Sequence, residues 1–171
     1  DEWNPATDRY TPYRYDATDL AGKARNRDAL LDLLRMQASP TTPLVGMVTR
    51  LTRQKGIDLL YDALPEVLES DSIRLVVLGS GEHHYEQFLH GLQERHPGRA
   101  VFYSGYSEEL AHFIEAAADL FLMPSMYEPC GLNQMYSLKY GTVPIVRRTG
   151  GLADSVRHFD PATGEGTGIV F

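Results

Sequence analysis

The chain has 171 residues, 43% of them hydrophobic, with 16 Lys and Arg against 23 Asp and Glu and a formal net charge of -7; its pI is near 5.3. That suffices for one globular domain with its own core. It is the wrong balance for nonspecific nucleic-acid binding, which needs many Lys and Arg over phosphates. The single cysteine excludes an internal disulfide and suits a reducing compartment, and no apolar run nears the roughly 20 residues of a membrane helix.

Residues 1–17 mix two prolines with aromatics and charges and show no period, so they are expected to form a linker or arm, with the domain proper at 18–171. The opening DEWNPATDRY is acidic and aromatic, unlike a signal peptide. With no initiator Met and a strand-like end, GTGIVF, the chain reads as a fragment. Residues 18–37 are predicted helical, with Thr18 and Asp19 as cap candidates and Leu30, Leu31, Leu34 and Met36 near one face. LVGMVTR (44–50) is a predicted strand. Residues 56–70 are a helix kinked at Pro65, 73–80 a strand, 82–96 a helix that stops before Pro97, and 99–106 a strand. Residues 107–118 form a helix capped by Ser107, with glutamates in its first turn. Then follow a strand (119–125), a helix (131–140), a strand (142–148) and a short helix (150–159).

Strands and helices thus alternate, and the strands are continuous apolar runs. Both features predict a doubly wound α/β domain, a parallel sheet with helices on both faces. Such sheets bind ligands beyond the carboxyl ends of their strands. The residues that follow each strand are therefore the ones to inspect.

After the first strand, TRLTRQKG places Arg50, Arg53 and Lys55 with no acid before Asp58. This is either a phosphate clamp, a planar fork plus a mobile point charge, or a solvated basic turn. GSGEHH begins like a dinucleotide fingerprint but has His84 where a third glycine belongs, which favours an ordinary turn. Tyr106 could stack on a base or simply pack. In YEPCGL, Glu128 precedes a helix whose first amides, near Gly131, Leu132 and Asn133, are free to hold an anion. Glu128 is either a substrate-facing carboxylate or a helix cap worth about 0.3–1 kcal/mol from the dipole. Cys130 has no triad around it and reads as a small packing residue. Thr149, Gly150 and Gly151 let the backbone approach something closely. The six histidines lack paired-ligand spacing, so no metal site is expected.

Together TRLTRQKG, GYSEE, the run from Pro124 to Val156 and DEWNPATD resemble the C-terminal half of bacterial glycogen synthases and plant starch synthases. The resemblance implies a GT-B enzyme, with two Rossmann-like domains and an active site between them, of which this chain is the nucleotide-sugar-binding half. It implies retaining transfer of glucose from ADP-glucose to an α-1,4-glucan, without a metal or other cofactor. The acceptor groove, a lysine-glycine-glycine loop and a histidine would lie in the missing N-terminal domain. Arg50 and Lys55 would then bind the diphosphate, and Tyr106 the adenine. Glu128 would hold the donor glucose, and the backbone at Cys130, Gly131, Leu132 and Asn133 would touch glucose and phosphate. Catalysis would rest on Arg50, Lys55 and Glu128. Many retaining relatives carry a second Glu eight positions after the first; here that place is Tyr136, as in glycogen and starch synthases. One carboxylate does not support paired-carboxylate glycosidase chemistry. Expected partners are ADP or ADP-glucose and the glucan, with no nucleic acid or membrane; the expected location is bacterial cytoplasm, or a plastid for a plant chain. The alternatives are a nucleotide-sugar-binding module inactive by itself, or a UDP-glucose-dependent relative.

Overall fold

The computed structural model describes residues 2–171. In chain order it contains α1 (Ala21–Leu33), β1 (Leu44–Leu51), two 3-10 turns (Arg53–Lys55 and Ile57–Leu59), α2 (Leu60–Glu69), β2 (Arg74–Gly81) and α3 (His83–Arg95). There follow β3 (Ala100–Ser104), α4 (Glu108–Ala117), β4 (Leu120–Met123), α5 (Asn133–Tyr140), β5 (Val143–Val146), α6 (Gly150–Ser155) and β6 (Ile169–Val170). The sheet has the order β3-β2-β1-β4-β5-β6, and every pairing is parallel. Strand order therefore reverses between β1 and β4, where doubly wound sheets form their crevice.

Period-two alternation explains the continuous apolar strands. Leu44 of β1 and Val76 and Leu78 of β2 face one core, with Leu30, Leu31 and Ile114 from α1 and α4. Val45, Met47, Leu75 and Val77 face the other, with Leu64, Leu68, Leu89 and Leu92 from α2 and α3. Both faces are covered, so neither can be polar. Each fully buried Leu contributes about 1.5–3 kcal/mol.

Several elements end earlier than expected. The first helix starts at Ala21, not Thr18: Leu20 is its N-cap residue, while Asp19 accepts from the Ala21 amide at 2.9 Å. It stops at Leu33 because Arg35 turns left-handed (φ 53) and the Met36 amide bonds back to the Leu31 carbonyl at 2.8 Å. α2 continues through Pro65. Ser107 caps α4 by accepting from the Leu110 amide at 3.1 Å. β4 ends at Met123, since Pro124 has no amide for the ladder.

The expected arm is packed onto the domain. The Trp3 ring stacks on His112 (centroids 3.6 Å apart) and on Tyr136 (4.3 Å). Asp8, fully buried, pairs with His112 Nδ1 at 2.8 Å and accepts from the Tyr140 hydroxyl at 2.6 Å. Tyr15 donates to the Tyr140 carbonyl at 2.8 Å. Tyr136, which stands where many relatives have a second glutamate, is therefore part of the surface that seats the arm.

Candidate functional site

The site begins with an unequal pairing. β1 runs beside β2 from Leu44 to Leu51 but pairs with β4 only at Val45 and Gly46. Beyond Gly46 the two strands part. A cavity of about 190 Å³ opens there, lined by Val48, Thr49, Arg50, Lys55, Leu122, Met123, Pro124, Ser125, Glu128, Gly131, Leu132 and Asn133. Asn133, the first residue of α5, reaches across the gap and donates to the Val48 carbonyl at 3.1 Å.

The loops after β1 and β4 are tied to each other. The Met126 amide donates to the Gln54 carbonyl at 2.8 Å, and Gln54 Nε2 donates to the Tyr127 carbonyl at 3.1 Å. Gly56 makes the contact possible. Its φ is 74°, and a Cβ there would sit 1.9 Å from the Pro124 carbonyl oxygen, so a side chain fails on both counts. The result places Lys55 Nζ 2.5 Å from Glu128 Oε2. Ser125 Oγ donates to the same oxygen at 3.3 Å.

This decides what Glu128 does locally. α5 has no side-chain cap, and the carboxylate bonds to Lys55 and Ser125 rather than to helix amides. A charge-assisted hydrogen bond contributes about 1.5–3 kcal/mol against about 0.3–1 for a dipole contact, so the ion pair outweighs capping. The side chains of the pair are only 19% (Lys55) and 11% (Glu128) exposed, which limits solvent screening. The amides of Gly131, Leu132 and Asn133 make no hydrogen bond among the described residues. They are donors at the positive end of the α5 dipole, beside the cavity.

The turn after β5 braces the glutamate from behind. Gly151 donates its amide to the Glu128 carbonyl at 3.0 Å, and a Cβ on Gly150 would lie 2.2 Å from that carbonyl oxygen. The close approach expected of these glycines is thus to the Glu128–Cys130 backbone. Cys130 itself is exposed, a correction to its reading as a packing residue: its backbone is held and its thiol is not.

Arg50 is exposed, and its side chain has no carboxylate or hydrogen-bond partner among the described residues. It also lines a neighbouring cavity of about 250 Å³ with Val48, Thr49, Leu78, Gly79, Ser80, Gly105 and Tyr106. Tyr106 is 78% exposed and lies past the end of β3, so packing does not explain it. Arg50 therefore stands between two adjoining hollows, one with a carboxylate and free amides, the other with a bare aromatic ring. Arg53 lines neither. Gln54 and Ser125 lay inside stretches marked by the carboxyl-edge rule, but no local pattern singled them out. Among the described residues no group of three or more His, Cys, Asp or Glu is placed to hold a metal ion, and no helix is long and apolar enough to cross a membrane.

A two-lobed crevice at the strand reversal of a parallel sheet is the arrangement of a doubly wound α/β domain with a candidate ligand site at its carboxyl edge. Residues 35–171 match the family model "Glycosyl transferases group 1". The chain is 47% identical over 169 residues to the glycogen synthase of Bacillus cereus strain B4264, covering 99% of this chain and 35% of that protein. It superposes with a TM-score of 0.90, at 40% identity, on the catalytic domain of starch synthase IV from Arabidopsis thaliana bound to ADP and acarbose, covering 99% of this chain and 36% of that one. Anabaena HepE in complex with UDP-glucose shares the fold, with a TM-score of 0.66 at 21% identity, covering 86% of this chain and 38% of that chain. The chain belongs to the group 1 glycosyl transferases, as a GT-B domain of the glycogen and starch synthase kind. It spans about a third of the length of the curated relatives it matches.

Proposed function

We propose that the chain is the donor half of an enzyme that transfers glucose, with retention, from ADP-glucose to the end of an α-1,4-glucan. The observation that carries this reading is the convergence of Arg50, Lys55, Glu128 and the free α5 amides on one crevice. Arg50 and Lys55 bind the diphosphate and neutralise charge on the departing ADP, so that in this reading no metal is required. Tyr106 stacks on the adenine. Glu128 holds the donor glucose, stabilises the positive charge that develops at its reacting carbon, and shares Lys55 with the phosphates. The backbone at Cys130, Gly131, Leu132 and Asn133 contacts sugar and phosphate. The ADP bound by the Arabidopsis starch synthase supports an adenine rather than a uracil nucleotide.

The chain's share of its relatives, 35%, favours a second statement: alone it binds ADP weakly and transfers nothing, because the glucan needs the other wall of the cleft. Calorimetry with ADP and UDP, together with transfer of labelled glucose by this chain and by the two-domain protein, tests both. Binding of ADP in preference to UDP, with transfer only by the longer protein, is the expected result. Absence of ADP binding, with Arg50→Ala indistinguishable from wild type, would overturn the site. Transfer by the chain alone would overturn the half-site reading.

A further inference from the structure

At the opposite end of the sheet lies a second polar cavity, of about 380 Å³, lined by Arg35, Gln37, Asp71, Arg74, Pro97, Gly98 and Arg99. Arg74 opens β2, Arg99 immediately precedes β3, and Arg35 follows α1. Three guanidiniums meet a single carboxylate there, in a chain whose net charge is -7.

Part of this arrangement is structural. Arg74 donates through Nε to the Gln37 carbonyl, and through Nη1 to the Ile73 carbonyl at 2.9 Å and to Asp71 Oδ1 at 2.6 Å. Arg99 donates through Nη1 to the Leu68 carbonyl at 3.2 Å, and its Nε lies 3.2 Å from the same Asp71 oxygen. These bonds tie the loops before β1, β2 and β3 together. Among the described residues they leave the Nη2 groups of Arg74 and Arg99 and the whole head of Arg35 without an acceptor. The side chain of Arg74 is only 8% exposed. A guanidinium this buried is costly unless its charge is matched, and here two guanidiniums share one carboxylate oxygen.

We propose that this cavity is a second anion site, which takes the phosphate group of a small phosphorylated metabolite. Arginine forks match phosphate oxygens in pairs, and Arg74 and Arg99 are already oriented by Asp71. The volume lies near the lower end of the roughly 300–1,000 Å³ typical of ligand pockets, which leaves room for a small group attached to the phosphate. The site stands at the amino ends of the strands, away from the crevice of Arg50, Lys55 and Glu128.

The test is titration of the chain with inorganic phosphate and with ribose 5-phosphate, followed by calorimetry and melting midpoint, in an Arg50→Ala/Lys55→Ala background that removes the phosphate contacts of the other crevice. Expected is saturable binding in that background, tighter for the sugar phosphate, and at least tenfold weaker after Arg35→Gln/Arg99→Gln. Arg99 also ties Leu68 and Asp71, so Arg35→Gln alone, which leaves those bonds in place, is measured beside the double variant and should itself weaken binding; undiminished binding by Arg35→Gln overturns the site. Binding that disappears in the Arg50→Ala/Lys55→Ala background, or that survives Arg35→Gln/Arg99→Gln undiminished, overturns the site. Equal affinity for both ligands overturns the claim that it takes a metabolite rather than the free ion.

Discussion

Glu128 and Glu115 are both buried, 9% and 1% exposed, yet their surroundings differ in kind. Glu128 sits where β1 and β4 part, with Lys55 at 2.5 Å and a cavity in front of it. Glu115 sits on α4, facing α5. Its Oε2 accepts from Ser137 at 2.9 Å, and its Oε1 has no partner among the described residues. Burial pushes Glu115 up to about 8, the Ser137 bond and the charge of Lys23 opposing only in part. Lys23 cannot rescue it: it donates to Thr142 Oγ1 at 2.7 Å and to the Ala116 carbonyl at 3.2 Å, and burial lowers it to about 8. Asp8 is a third case, a buried acid that a histidine and a tyrosine hydroxyl satisfy. A cation beside a buried carboxylate keeps it ionised and an opening lets a ligand reach it. Of these three, only the one at the sheet's carboxyl edge has both.

The comparison can be broken at each acid. Glu128→Gln carries the largest expected effect. In the two-domain protein transfer should fall by about a hundredfold or more, the scale of losing one preorganised electrostatic group, while ADP affinity measured by calorimetry stays near wild type. An early melt with unchanged turnover would instead make Glu128 structural. Asp8→Ala should do the reverse. It leaves His112 and Tyr140 unpaired at about 1–3 kcal/mol for each buried group, read as a lower urea midpoint, with ADP binding per folded molecule intact. Lys55→Ala should weaken ADP binding by about 1.5–3 kcal/mol, the range of a charge-assisted hydrogen bond, in the same calorimetric assay. Glu115→Gln should leave ADP binding and transfer unchanged, the smallest expected effect on function, and should act on stability only through its pH dependence. The folded value of Glu115 lies above that of an unfolded carboxylate, so folding takes up a proton between the two. The stabilisation is whole below the unfolded value and is lost as pH rises toward about 8. Urea melts between pH 5 and 8 should show wild type losing stability and Glu115→Gln losing less; equal slopes would mean that Glu115 is ionised in the fold.

Much of this was legible residue by residue. The apolar strands VGMV and LVVL announced a sheet buried on both faces, the usual state of a parallel sheet. Ser107 announced the start of α4, since a hydroxyl three residues before Leu110 is a local device. Arg50, Lys55, Tyr106 and Glu128 were marked because each lies at or just past the carboxyl end of a strand. Other features depend on contacts between distant segments. Trp3, Asp8 and Tyr15 read as an unpatterned arm because their partners, His112, Tyr136 and Tyr140, lie on α4 and α5. Nothing local marks Glu115 as buried, because burial is not written in a helix's own sequence when its neighbours are Ala116 and Ala117. Cys130 read as packing, though the residue is exposed.

The amino-acid sequence by itself determined the alternation of elements and the doubly wound class, because periodicity, caps and turn residues act over a few positions, and its motifs carried the resemblance to the family. The tertiary structure decided whether Glu128 is a cap or an ion-paired group. That choice turns on β1 pairing with β4 at Val45 and Gly46 alone, and on Gly56 letting the Lys55 turn close against Pro124. No local rule encodes a contact across 73 positions, and the energy that settles it is between side chains that only the folded sheet brings together.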